Sequence, residues 1–165
     1  MSLNIVLVEP EIPQNTGNIL RTCAATGSTL HLVRPLGFSL EDKYLKRSGL
    51  DYWDIANIQY YDSFEEVKEK NPNGVFFYST TKTNNFHSDM KFVDNSFIVF
   101  GKETKGLPED ILQKYIDKTI RIPMRETLRS LNLSNSVSIV VYDVLRQKQF
   151  EGLEEISSYF DSSHK

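Results

Sequence analysis

The 165-residue sequence has one cysteine, Cys23, and no apolar run long enough to cross a membrane. A single cysteine excludes the intrachain disulfide framework that small secreted domains use. The longest apolar runs, such as residues 5–8 and 139–142, fall far short of the roughly 20 residues that span a bilayer. The N-terminus also lacks the basic-then-apolar pattern of an export signal. We therefore expect a cytoplasmic protein that does not insert into a membrane.

The sequence also lacks a strong excess of either charge, since its formal net charge is -3. The net negative charge comes from residues 151–165, and the rest of the chain has equal numbers of acidic and basic residues. RNA-binding proteins usually present a basic surface to phosphates, so the net charge neither supports nor excludes an RNA partner. Several basic residues are clustered in the sequence and are either solvated surface charges or phosphate ligands. They are Lys43, Lys46, Arg47, Lys102, Lys105, Arg121, Arg125 and Arg129.

Metal-ligating and nucleophilic residues are sparse. The three histidines, His31, His87 and His164, are scattered, and no cluster of Cys, His and carboxylate residues has the spacing of metal ligands. We expect no metal site. Cys23 lies on the apolar face of a predicted helix, which favours a buried structural cysteine over a nucleophile. His31 lies within a predicted strand, which favours a structural role as well.

The first 33 residues predict a β-α-β unit. Residues 3–8 are an apolar, β-branched run of strand length, which fits a buried strand. Asn15 or Thr16 can cap the following helix, and Gly27 is placed to end it. Residues 30–33 then predict a second strand.

The remainder continues this alternation of strands and helices. Ser63 and Glu66 have the spacing of a capping box and predict a short helix to about residue 70. Pro108 suits the first position of another helix. Residues 79–95 are rich in Thr, Asn, Ser and Asp and predict a loop. Further strands are predicted at residues 75–79, 97–100 and 119–122. The pattern predicts an α/β fold with a mostly parallel sheet between helices, formed by one domain over residues 1–165.

The C-terminal helix has the clearest helical pattern. Its apolar face repeats at three- and four-residue spacing and includes Val137, Val140, Val141, Val144 and Leu145. Ile139 and Tyr142 widen this face, so the helix needs more than one neighbour, and a second copy of the chain could provide one. The acidic tail, residues 151–165, follows this helix. We expect it to form a surface helix through Ile156, Tyr159 and Phe160.

Three polar segments lie where open α/β folds place ligand sites. Residues 15–21 follow the first strand, although a capped helix start would have the same composition. Residues 100–108 superficially resemble a phosphate loop, but Leu107 and Pro108 occupy the positions of the Lys and Ser/Thr of a Walker motif. A simple β-α turn is the alternative. Residues 122–135 have more small polar side chains than helix capping requires, although loops are often rich in Ser and Asn.

Taken together, these segments resemble the three motifs of the SPOUT class of methyltransferases, and most closely its TrmL (YibK-like) group. The matching strings are LVEPEIPQNTGN at residues 7–18, FGKETKGLP at 100–108, IPM at 122–124 and RSLNLSN at 129–135. That group methylates the ribose 2'-hydroxyl of the wobble nucleotide, position 34, in certain leucine tRNAs. The resemblance implies the α/β knot fold with a C-terminal trefoil knot, which general topology rules do not predict.

The resemblance also implies the cofactor and the site residues. The cofactor is S-adenosylmethionine, used without a metal, and close approach of this ligand would account for the glycine at position 101. Arg21 is implied to activate the ribose hydroxyl, assisted by Asn15, Glu103, Ser130 and Asn132. The implied cofactor-binding residues are Ser79, Thr80, Gly101, Ile122, Ser130 and Leu131.

The expected partners are tRNA and a second copy of the chain, and no DNA. Phosphate contacts are expected from Lys43, Lys46, Arg47, Lys102, Lys105 and Arg129. Each active site is implied to lie at the dimer interface, where Tyr142 would pack. Two alternatives stay open: a ribose methyltransferase acting on another tRNA position or on rRNA, and a non-catalytic RNA- or cofactor-binding module. A dinucleotide-dependent dehydrogenase does not fit, because no Rossmann fingerprint is present.

Overall fold

The structure, a computed structural model, describes residues 2–160 apart from the side chains of residues 49–51. These residues form six strands and five α-helices. The strands are β1 Leu3–Val8, β2 Thr29–Val33, β3 Asn57–Tyr61, β4 Val75–Ser79, β5 Ser96–Phe100 and β6 Thr119–Ile120. The helices are α1 Pro13–Thr26, α2 Lys43–Trp53, α3 Phe64–Lys70, α4 Glu109–Lys114 and α5 Leu133–Gln147. Met1 and residues 161–165, which include His164 and the end of the predicted acidic tail, lie outside the described residues.

All six strands are parallel and lie in the order β3-β2-β1-β5-β4-β6, which confirms the predicted α/β class. β1 pairs with β2 on one side and with β5 on the other. The strand order therefore changes direction at β1, and open α/β sheets bind ligands at such switch points. Because Leu7 is paired with Phe100, the loops that follow β1 and β5 are neighbours.

The core lies on both faces of this sheet. Every residue of β1 is buried, and successive side chains point to opposite faces. Ile5 and Leu7 pack with α1 and α5, whereas Val6 and Val8 pack with residues of α3 and α4. Burial on both faces explains why the strand sequences are nearly continuous apolar runs.

Several predicted boundaries were wrong. The predicted caps Asn15 and Thr16 lie inside α1, which begins at Pro13, because proline fits the first helical position. β6 ends at Ile120 rather than at residue 122. α4 begins one residue after Pro108, which is its N-cap. Neither α2 nor β3 was predicted.

The tail differs from the expectation too, because residues 151–160 form no helix. Ile156 and Phe160 are more than 80% exposed, so no packed face stabilises helical structure there. Gly152 has a φ of 86°, which is incompatible with a continuous right-handed helix. The surface helix predicted through Ile156, Tyr159 and Phe160 was therefore wrong.

Cys23 and His31 have the structural roles that the sequence predicted. Cys23 is fully buried, and burial raises the pKa of its thiol to about 12, which disfavours a nucleophilic thiolate. His31 is 2% exposed and hydrogen-bonds the Tyr61 hydroxyl at 2.9 Å and Asn4 Oδ1 at 3.0 Å. Burial lowers the pKa of His31 from 6.5 to about 4, so its ring is neutral in the folded chain at neutral pH.

The lowered pKa of His31 predicts acid sensitivity of the fold. Above pH 6.5 the His31 ring is neutral in both the folded and the unfolded chain, so the free energy of unfolding has its full value. Between pH 6.5 and 4 the unfolded chain takes up a proton that the folded chain does not, so the free energy of unfolding should fall by about 3 kcal/mol. Urea unfolding at pH 7, 5.5 and 4.5 measures this loss. The matched control, His31→Gln, cannot titrate and should lose less stability over this range. An identical pH slope in both proteins would contradict the assignment.

Candidate functional site

The carboxyl ends of four strands converge on one cavity. Its volume is about 550 Å³, within the range of small-molecule sites. Ser79 ends β4, Gly101 follows β5, and Ile122 lies two residues beyond β6; all three line the cavity. Asn15, in the first turns of α1 after β1, lines it as well. The cavity therefore lies at the edge of the sheet where the strand order favours ligand binding.

The structure brings the three motif segments together around this cavity. All six residues that the resemblance implies for the cofactor contribute to its lining: Ser79, Thr80, Gly101, Ile122, Ser130 and Leu131. Of the five residues implied in catalysis, Ser130 is among these six, and Asn15, Glu103 and Asn132 line the cavity too. Arg21 is the exception and does not line the cavity.

Gly101 is required by the chain itself. A Cβ placed on Gly101 would lie 2.1 Å from the carbonyl carbon of Gly106 and 2.2 Å from the nitrogen of Leu107. The loop folds back on itself through a hydrogen bond from the Gly106 N–H to the Lys102 carbonyl at 2.9 Å. Close approach of a ligand was expected to account for this glycine. The contact with Gly106 and Leu107 already requires glycine at this position, and the expected approach of a ligand stays a prediction.

The cavity wall offers polar groups that the described chain leaves free. None of the main-chain groups of Ile122, Ser130 and Leu131 hydrogen-bonds to another residue within 2–160, nor do the Ser79 and Ser130 hydroxyls. Ser79, Ile122 and Leu131 are partly buried and Ser130 is exposed, so a ligand that enters the cavity with several donors and acceptors can bond to these groups. Such a lining suits a polar molecule held largely by main-chain contacts.

Glu103 caps helix α1 from a distant loop. Its carboxylate accepts hydrogen bonds from the N–H groups of Glu11 at 2.8 Å and Ile12 at 3.1 Å, and from Asn15 Nδ2 at 3.3 Å. α1 has no capping side chain of its own, and a carboxylate is favourable at the positive end of a helix dipole. In the opposite direction, Thr104 Oγ1 donates to Glu11 Oε1 at 2.7 Å. The loops after β1 and β5 are therefore locked together.

Asn15 and Asn132 extend this connection to the third motif. Asn132 Nδ2 donates to Asn15 Oδ1 at 3.0 Å. Asn132 Oδ1 accepts from the N–H groups of Ser134 at 3.0 Å and Asn135 at 3.3 Å, so Asn132 is also the N-cap of α5. A continuous hydrogen-bonded chain thus joins Glu103, Asn15 and Asn132. It fixes one wall of the cavity by holding the starts of two helices.

Arg21 is exposed on α1 and does not contribute to the cavity lining. Its guanidinium carbon is 5.2 Å from the centre of the Tyr52 ring on α2. Within the described residues, Arg21 forms no ion pair and no side-chain hydrogen bond. Its N–H donors are therefore available to an anionic partner.

The predicted RNA-binding residues fall into two groups. Lys102, Lys105 and Arg129 line the cavity, and Lys102 also lies 3.7 Å from a Glu9 carboxylate oxygen. The other group is exposed on α2 and consists of Lys43, Lys46 and Arg47. Lys46 is paired with Glu41 at 2.9 Å, as expected of a solvated surface charge. None of the residues in this second group lines the cavity.

Sequence reasoning missed several residues of the cavity wall. Thr81 and Lys82 follow the predicted cofactor residues of the loop after β4, and Lys82 is paired with Glu109 at 2.9 Å. Met124, Leu133 and Ser136 also line the cavity. Met124 and Leu133 lie within the matching strings, so they could have been included. Nothing in the sequence distinguishes Ser136 from a helix-surface serine.

Tyr142 lies on another surface. The main apolar face of α5 is buried within the chain, since Val137, Val140 and Val141 are fully buried. Ile139 and Tyr142 stay 40% and 48% exposed. Only the narrow stripe formed by Ile139 and Tyr142 is therefore left for a second neighbour of α5.

The described part of the chain contains neither a metal-binding cluster nor a membrane-spanning helix. Among residues 2–160, no group of three or more His, Cys, Asp or Glu residues is arranged to hold a metal ion. No helix in the same range has the length and apolarity needed to cross a membrane.

Comparison with known proteins identifies similar sequences. The model of the SpoU rRNA Methylase family matches residues 2–142. A protein of Geobacillus stearothermophilus is 53% identical over 156 residues, which cover 93% of this chain and 99% of the relative. The name of that relative provisionally assigns it as a tRNA (cytidine(34)-2'-O)-methyltransferase.

Solved structures show the same fold. One solved structure is 41% identical to this chain, with a TM-score of 0.86. The alignment covers 91% of this chain and 98% of the solved one. That structure is described as giving insights into 2-OH methylation of C/U34 on tRNA. Another, the SpoU methyltransferase AviRb of Streptomyces viridochromogenes in complex with AdoMet, is 24% identical with a TM-score of 0.79. The alignment covers 90% of this chain and 61% of AviRb. At that identity the likeness shows the fold alone.

Proposed function

Because this chain belongs to the SpoU rRNA methylase family, we propose that it methylates the ribose 2'-hydroxyl of the wobble nucleotide of tRNA. The methyl donor is S-adenosylmethionine, and the substrate is a cytidine or modified uridine at position 34 of leucine tRNAs. The observation that carries this proposal is the single cavity where all three motif segments meet. The 53% identity to a relative that is named for this activity supports the choice of target.

The cavity suits S-adenosylmethionine, which supplies a methyl group already activated by a sulfonium. Main-chain groups of Ile122, Ser130 and Leu131 line the cavity without partners among the described residues and would hold the cofactor. The Ser79 and Ser130 hydroxyls would add further hydrogen bonds. No metal is needed for this chemistry.

Transfer to a ribose hydroxyl depends chiefly on alignment of the reacting oxygen. A guanidinium keeps its proton over the working pH range and is a poor base. Arg21 would therefore hold the neighbouring phosphate and stabilise negative charge that develops on the hydroxyl oxygen. Asn15, Glu103 and Asn132 would position the cavity wall, because their polar atoms already bond to one another and to helix starts.

We propose that the enzyme is a homodimer. Arg21 does not line the cavity of its own chain, so an active site at a subunit interface would account for its placement. The exposed stripe of Ile139 and Tyr142 on α5 would pack across that interface. The cytoplasm, where tRNA is modified, is the expected location.

We also propose that the C-terminal part of the chain forms a trefoil knot. The loop after β4 contacts both the segment after β6 and helix α5. His87 donates its N–H to the Arg121 carbonyl at 3.0 Å, and its ring nitrogen lies 2.8 Å from Asp143 Oδ2. The Phe92 N–H donates to Gln147 Oε1 at 3.3 Å. These contacts are what a loop wrapped around a threaded chain would make.

The dimer proposal predicts the effect of charge at position 142. Tyr142→Asp should weaken the dimer by roughly 30-fold or more, because an aromatic residue at the centre of an interface commonly contributes about 2 kcal/mol. Methyl transfer should fall in parallel at low protein concentration. Sedimentation velocity measures the change. Ile116→Asp is the matched control, since Ile116 is 49% exposed and lies outside α5. An unchanged dimer in Tyr142→Asp would remove Tyr142 from the interface.

Transfer of labelled methyl from S-adenosylmethionine to tRNA tests the function directly. The substrate is bulk tRNA from cells that lack this protein, and nucleoside mapping locates the label. Label on the 2'-oxygen of position 34 supports the proposal. Label at another tRNA position would retain the chemistry and change the target. Tight cofactor binding without transfer to any RNA would favour a binding module instead.

A further inference from the structure

Arg21 has an aromatic partner that leaves its hydrogen-bond donors free. Its guanidinium lies over the Tyr52 ring, 5.2 Å from the ring centre, within the usual limit of about 6 Å for a cation–π contact. A carboxylate partner would occupy the N–H edge of a guanidinium, because the two groups bond edge to edge. A ring face contacts the flat side of the group. The N–H edge can then still bind a phosphate or a developing oxyanion.

The ring is held by a helix with fixed ends. Asp42 caps α2 by accepting hydrogen bonds from the N–H groups of Tyr44 at 2.8 Å and Leu45 at 3.4 Å. Leu45 is 1% exposed, and Trp53 packs against the main core at the other end of the helix. Tyr52 therefore projects from an anchored helix, whereas Arg21 is a long, exposed side chain with many rotamers.

We propose that Tyr52 is a positioning residue for Arg21, which it holds in the orientation used for the ribose and its phosphate. This inference rests on the proposed function, because it assumes that Arg21 acts on the RNA substrate. Tyr52 would not touch the reacting atoms. Its removal would let the guanidinium explore other rotamers, and small displacements of a reacting group can cost up to about 100-fold in rate.

The kinetics of two Tyr52 variants separate the contribution of the aromatic ring from that of the hydroxyl. Tyr52→Leu is expected to lower kcat by between about 5-fold and roughly 100-fold, with KM for S-adenosylmethionine within about twofold of the parent. Tyr52→Phe retains the ring face and should retain kcat within about twofold. The matched control is Tyr60→Leu. Tyr60 lies on β3, and the centre of its ring is at the same distance, 5.2 Å, from the Arg34 guanidinium. Equal losses in Tyr52→Phe and Tyr52→Leu, or an unchanged kcat in Tyr52→Leu, would overturn the proposal.

A measurement without substrate separates this inference from the proposed function. The Nε–H signal of Arg21, assigned by its loss in Arg21→Lys, reports the mobility of the guanidinium by ¹⁵N relaxation. We expect a lower order parameter in Tyr52→Leu and an unchanged one in Tyr52→Phe. An identical order parameter in all three proteins would refute positioning by the ring, even if Tyr52→Leu were less stable. Absence of methyl transfer by the parent chain would instead refute the proposed function and leave the relaxation result interpretable.

Discussion

Arg21→Ala is expected to lower kcat for methyl transfer by roughly 10²- to 10³-fold, the usual cost of losing one donor that stabilises a developing oxyanion. Affinity for S-adenosylmethionine should stay within about twofold, because Arg21 does not line the cavity. Single-turnover transfer to tRNA and calorimetric titration with the cofactor measure the two quantities separately.

Arg34→Ala is the matched control for this loss. Arg34 also lies over a tyrosine ring, that of Tyr60, and its pairing with Asp62 at 3.4 Å is exposed. Such exposed pairs contribute little to stability, so the control should fold and should transfer methyl normally. If Arg21→Ala weakened cofactor binding as much as it lowered kcat, the role assigned to Arg21 would be wrong.

Gly101→Ala is expected to abolish cofactor binding. The added methyl would lie 2.1 Å from one backbone atom and 2.2 Å from another, and neither can move without displacing the loop between residues 101 and 107. Overpacking against a fixed backbone costs about 3 kcal/mol or more. If this strain is relieved by displacing the loop, affinity for S-adenosylmethionine should fall by at least about 100-fold.

Gly106→Ala provides the comparison within the same loop. Gly106 has a φ of 66°, and a Cβ there would meet nothing within 4 Å. Its replacement should cost about 1 kcal/mol of backbone strain and leave measurable cofactor binding. Similar affinities in the two variants would show that the contact at Gly101 is not what shapes the cavity.

The elements with strong apolar patterns could be predicted from the sequence. β1 is a nearly continuous apolar run, and the apolar residues of α5 repeat at helical spacing. Both elements were found where they were expected. α2 and β3 could not be predicted, because their burial is partial. β3 is an edge strand with exposed Asn57 and Gln59, so its sequence, NIQYY, lacks the apolar run of a central strand.

The grouping of the predicted cofactor-binding residues around one cavity could be anticipated through the family motifs, but the individual contacts of the site residues could not. Glu103 bonds to the start of α1 because β1 and β5 are paired in one particular register. Gly101 contacts Gly106 because the loop reverses sharply. Both facts depend on how separate segments meet in space. A linear sequence gives no spacing rule for such contacts.

The hydrogen-bonded chain from Glu103 through Asn15 to Asn132 has a consequence for synthesis on the ribosome. α1 is made early, but the carboxylate that caps it comes about 90 residues later, and the amide that bonds Asn15 comes 117 residues later. A nascent chain that stops before residue 103 has the N–H groups of Glu11 and Ile12, just before α1, without this partner. The cavity can therefore form only after nearly the whole chain has left the ribosome, and incomplete translation products lack it.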